Sequence, residues 1–146
     1  MQVKDYMRAP VVSISPEAGL DRALVIMRGQ RIRHLPVVEN HKLVGLITSR
    51  DLKLSMVEEA GPDHAPKGLY LPALTKIHDI MKKDLFTAYP GDPLDRAARV
   101  MSERKIGCLP VIEEETRNLV GIITESDLLR LLVKLLAQSS MSGAHG

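Results

Sequence analysis

Residues 43–52 read LVGLITSRDL, and residues 119–128 read LVGIITESDL. A decapeptide written almost identically twice in a chain of 146 residues signals an internal duplication, which decides the fold before any single element is assigned. Sliding the chain against itself extends the match. At a spacing of 74 (Asp5 to Asp79), Met7, Pro16, Leu20, Asp21, Arg22, Ala23 and Met27 fall on Met81, Pro90, Leu94, Asp95, Arg96, Ala97 and Met101. Ile32, Leu35, Pro36 and Val37 fall likewise on Ile106, Leu109, Pro110 and Val111. Two further residues in the second copy then shift the spacing to 76 (Leu43 to Leu119), which carries Val44, Gly45, Ile47, Thr48, Asp51 and Leu52 onto Val120, Gly121, Ile123, Thr124, Asp127 and Leu128.

Composition bounds what such a tandem can be. With 45% hydrophobic residues there is enough apolar side chain for a packed core. No apolar run reaches the roughly 20 residues that span a bilayer, and the opening MQVKDYMRAP lacks signal-peptide order, so cytoplasmic residence is expected. A net charge of +2 gives no field for nucleic acid, and 3% aromatics leaves little on which bases could stack. Cys108 is the single cysteine, which excludes an intrachain disulfide and a CxxC site and reads as a small buried hydrophobe. His34, His41, His64, His78 and His145 lack metal-ligand spacing, so no metal is expected.

Each copy reads as strand, helix, strand, strand, helix. The stretches PVVSI (10–14) and DLFTA (84–88) favour short strands. Leu20, Ala23, Leu24 and Met27, and Leu94, Ala97, Ala98 and Met101, recur at helical spacing, with Asp92 and Pro93 as N-cap and first helical residue of the second helix. HLPVV with LVGLIT, and CLPVI with LVGIIT, form hairpins in which Pro36 and Pro110, lacking a donor, belong at a sheet edge or strand start. Helices follow through RDLKLSMVEEA and SDLLRLLVKLLAQ; the leucine-rich run at 128–136 is expected to be buried against another helix. This gives a first repeat at 1–57, a proline-bearing connector at 58–76, a second repeat at 77–138 and a flexible tail at 139–146.

The lead-in D-h-M, the helix L-x-x-A-x-x-x-M, the strand I-x-x-L-P-V and the ending L-V-G-h-h-T-x-x-D-L occur in both copies. Together they resemble the cystathionine β-synthase-type (CBS) domain over nearly the whole chain, from Val3 to about Leu136. The resemblance implies an α/β CBS pair, or Bateman module, with two β-α-β-β-α repeats packed about a pseudo-twofold axis. It also implies homodimerisation, regulation rather than catalysis, and inter-repeat clefts that take AMP, ADP, ATP or S-adenosylmethionine. No membrane or nucleic-acid partner follows from it, and the regulated protein is not named by the chain.

Where β-strand gives way to helix at Thr48, helix-start amides make an anion site, the Thr48 hydroxyl and Arg50 add donors, and Asp51 suits a vicinal ribose diol. Thr124, Ser126 and Asp127 are the counterparts. By resemblance, adenine falls near Val12, Ser13, His34 and Pro36 in the first copy and near Phe86, Thr87, Cys108 and Pro110 in the second, while Arg33 joins Arg50 and His34 in a cluster that capping does not require. Arg33, His34 and Arg50 become Gly107, Cys108 and Ser126, and Ser49 becomes Glu125, so the Thr48–Asp51 site is expected to suit a polyphosphate better. T-x-x-D is equally a helix-capping pattern that needs no ligand, which keeps open a ligand-free dimerisation or scaffolding domain. No nucleophile stands beside a base, so no catalytic residue and no enzyme is expected.

Overall fold

The computed structural model describes residues 1–60 and 66–143. Two compact units emerge, and neither coincides with one sequence copy: the first joins residues 1–11 to those from 86 onward, and the second is Val12–Leu85.

In the Val12–Leu85 unit, helix α1 (Leu20–Gln30) buries Leu20, Ala23 and Met27 and ends at Arg31, which turns left-handed at φ 55°. Strands β1 (His34–Glu39) and β2 (Lys42–Thr48) pair antiparallel from His34 opposite Thr48 to Glu39 opposite Lys42. Asn40 (φ 51°) and His41 (φ 67°) make the two-residue turn, whose positive angles match the twist of the flanking strands. Helix α2 (Ser49–Ser55) follows β2 with no intervening residue. The expected strand at 10–14 shrinks to one parallel bridge, Ile14 beside Val37, because only Ile14 exchanges backbone bonds with β1. Its amide donates to Pro36 O at 3.0 Å and its carbonyl accepts from Val38 N at 2.9 Å, so the donor that Pro36 lacks is never required. Pro36 thus sits mid-strand, on the sheet side where pairing is thinnest.

The region 58–76, expected as a plain connector, contains a hairpin of β3 (Val57–Ala60) and β4 (Pro66–Tyr70), with Val57 opposite Tyr70. Helix α2 accordingly stops at Ser55, since Met56 is already extended on its way into β3. Helix α3 (Ile77–Ile80) then buries Ile77 in the core of Leu20, Leu35, Ile47 and Leu52.

The other unit repeats this plan with α4 (Leu94–Arg104), β5 (Cys108–Ile112), β6 (Leu119–Thr124) and α5 (Glu125–Gly143), and Ala88 forms the single parallel bridge, to Val111. Asp92 does not cap α4. Its carboxylate accepts the Tyr89 amide at 2.9 Å, closing the turn before the helix, and Pro93 becomes the N-cap. From the N-terminus a short 3-10 turn (Val3–Asp5) buries Val3 among Leu94, Leu109, Val111 and Ile123. The lead-in segments therefore change places: Arg8 bridges Ile122 in β6, and Lys82 bridges Leu46 in β2.

Two glycines admit those segments. A Cβ on Gly121 would lie 2.6 Å from Met7 Sδ and 3.0 Å from the Arg8 carbonyl oxygen, and one on Gly45 would collide with Met81 Sδ and sit 3.1 Å from the Lys82 carbonyl oxygen. The glycine of L-V-G and the methionine of D-h-M are two halves of one contact.

Helix α5 continues to Gly143, so the tail expected to be flexible is helical from 139 to 143, while 144–146 lie outside the described residues. Its leucine run is not buried within the chain. Leu128 and Leu131 pack on the core, but Leu129, Leu132, Val133 and Leu136 lie on the outward arc and are 48–67% exposed.

Candidate functional site

A parallel bridge on one side of β1 and an antiparallel partner on the other bring residues 12–13, 33–34 and 48–51 to the same end of the small sheet. Ser49 N donates to Arg33 O at 2.9 Å, which fixes the strand-to-helix junction against the start of β1. The other unit assembles 86–87, 107–108 and 124–127 in the same way, with Glu125 N donating to Gly107 O at 3.0 Å. Every residue proposed from sequence for one copy thus gathers in one unit. Their surfaces differ, however. Arg33, Arg50, Ser13 and Ser126 are exposed, His34 and Thr87 are half-buried, and Pro36, Pro110 and Cys108 are buried and present little side-chain surface. Val12 and Phe86 are exposed apolar groups, and the Arg104 guanidinium stacks 5.0 Å above the Phe86 ring.

At the junctions both T-x-x-D sequences close capping boxes. Thr48 N donates to Asp51 Oδ2 at 2.9 Å and Asp51 N to Thr48 Oγ1 at 3.1 Å; Thr124 N donates to Asp127 Oδ2 at 2.9 Å and Asp127 N to Thr124 Oγ1 at 3.3 Å. Among the described residues, no group of three His, Cys, Asp or Glu is placed to hold a metal ion, and no helix is long and apolar enough to cross a membrane.

The chain matches the CBS domain over residues 3–58 and again over 77–134. It belongs to the CBS domain family. A CBS domain-containing protein of Dictyostelium discoideum is 37% identical over 135 residues, 92% of both chains. A homoserine O-acetyltransferase of Methanococcoides burtonii is 35% identical over 131 residues, but these make up 24% of that protein, so the likeness concerns its CBS region alone. Among solved structures, a CBS domain pair crystallised with 5-methylthioadenosine and S-adenosyl-L-methionine superposes with a TM-score of 0.75 at 30% identity, covering 92% of this chain and 97% of that one.

Within this CBS pair the two carboxylates are not equivalent. Asp127 Oδ1 accepts from Arg130 Nη2 at 2.5 Å and from Arg8 Nε at 3.4 Å, and Oδ2 accepts the Thr124 hydroxyl at 2.9 Å as well as its amide. Its side chain is 6% exposed. Among the described residues, the Asp51 carboxylate accepts one hydrogen bond, from the Thr48 amide; Lys82 Nζ stands 3.9 Å from Oδ1, and the side chain is 15% exposed. Sequence reading missed Arg8, Lys82 and Arg130. The first two arrive on the exchanged lead-in segments; Arg130 was legible as three positions after Asp127, one helical turn along.

Proposed function

We propose that the chain is a regulatory CBS pair that binds an adenosine-containing ligand, either an adenine nucleotide or S-adenosylmethionine, and relays its occupancy to a partner protein without turnover of its own. The observation that carries this reading is the Asp51 junction. A carboxylate with about four lone-pair positions commits one of them to a backbone amide and keeps the others for hydroxyl donors of a ribose. The Thr48 hydroxyl, Arg50, Arg33 and His34 stand at the same sheet end, with Val12, Ser13 and Pro36 toward the base. The solved relative that held two adenosyl compounds supports this choice of ligand class. The outward apolar arc of α5, from Leu129 to Leu136, supports pairing with a second copy. A ligand shifts the module by no more than its difference in affinity between two conformations, so the signal is bounded by that difference.

The closed capping boxes favour a second reading, a ligand-free dimerisation or scaffolding module. Thermal unfolding with AMP, ADP, ATP and S-adenosylmethionine separates the two. A native-state ligand at a hundred times its Kd adds about 2.7 kcal/mol, so a raised midpoint in wild type that disappears in Asp51→Asn is expected. No shift with any of the four at millimolar concentration would leave the scaffold as the function.

A further inference from the structure

The Asp127 carboxylate is saturated by its own unit: four donor hydrogens from Thr124 N, Thr124 Oγ1, Arg130 Nη2 and Arg8 Nε meet about four lone-pair positions. Nothing is left to accept from a ribose, and the Thr124 hydroxyl is itself committed. Position 130 corresponds to position 54 in the first copy, where the residue is Leu54, 75% exposed and without charge. Arg8 corresponds to Lys82, whose ammonium stops short of Asp51 at 3.9 Å. The duplicated T-x-x-D motif is therefore plugged on one side by two guanidiniums and left accepting on the other.

We propose that Arg130, assisted by Arg8, is the specificity-determining residue that closes the Asp127 junction, so that each chain takes one adenosyl ligand, at Asp51. The inference rests on the adenosyl-binding reading above. It differs from a purely electrostatic ranking of the two sites, because the decisive group is a cation placed to compete for the carboxylate, not an anion repelling the ligand.

The reciprocal exchange tests it. Calorimetric titration with S-adenosyl-L-methionine, and in a separate arm with ADP, is run on wild type, Arg130→Leu and Leu54→Arg. Both substituted positions are more than half exposed, so the fold tolerates either change. The expected results are one site per chain in wild type, a second site in Arg130→Leu, and affinity weakened about tenfold or more in Leu54→Arg, a loss of about 1.4 kcal/mol. Two sites in wild type, or one or none in Arg130→Leu, overturn the inference while leaving the adenosyl reading intact as long as wild type binds. If wild type binds neither compound, the adenosyl reading fails and the inference that rests on it fails with it.

Discussion

The two halves of this molecule run the same sequence grammar to different ends. In the Val12–Leu85 unit the aspartate of T-x-x-D forms a long ion pair with Lys82 at 3.9 Å; in the other unit it is held by two arginines, at 2.5 and 3.4 Å. The motif alone does not distinguish these outcomes. One residue a helical turn later, and one delivered from far away in sequence, make the second copy of the same carboxylate part of a structural ion pair.

The largest test of the comparison asks whether the cores are equal. Ile47 and Ile123 are equivalent, and both are fully buried. Truncating either to alanine is expected to cost about 3 kcal/mol, read from the midpoint of urea unfolding; a loss under 1 kcal/mol at one of them would show that its unit contributes little to cooperative stability. Next come the contact glycines. Gly45→Ala and Gly121→Ala each drive a methyl into a methionine and a backbone carbonyl, at about 2 kcal/mol, and equal unfolding midpoints to wild type would deny the close approach. The carboxylates then separate the halves directly: Asp127→Ala, which removes the acceptor of four hydrogen bonds from Thr124, Arg130 and Arg8, is expected to cost about 2 kcal/mol against about 1 kcal/mol for Asp51→Ala. The reverse order by denaturant titration would refute the saturation argument. The smallest effect lies in the turns. His41, at φ 67°, pays for a left-handed backbone, so His41→Gly should stabilise by about 0.5 kcal/mol, seen as a small rise in Tm.

Much of this architecture is legible from the residues. The duplicated decapeptide sets the repeat, the i, i+3, i+7 spacing of Leu20, Ala23 and Met27 sets the buried face of α1, and T-x-x-D sets the caps. What stays hidden has a common cause, namely pairing between residues distant in sequence. An alignment of copies assigns Val3 to the first repeat, whereas its burial against Leu109 and Ile123 depends on which half offers the vacant sheet edge. The β3–β4 hairpin is masked by Pro66 and the glycines around it, which read locally as loop. Asp92 followed by Pro93 fits a cap by local chemistry, but the Asp92 carboxylate accepts the Tyr89 amide instead. At the candidate site, the strand ends announce which side chains gather; the arginine partners that set Asp127 apart reach it through the fold, and only Arg130 leaves a trace in the spacing.

The exchanged lead-in segments also put the two units on different clocks during synthesis. Val12–Leu85 is continuous, so its core closes as soon as Ile77 has emerged. The first eleven residues belong with β6, which follows more than a hundred residues later and on the order of ten seconds behind at ordinary translation rates. Until then Val3 and Met7 have no native pocket, and residues 1–11 are the last part of the first half to find their place.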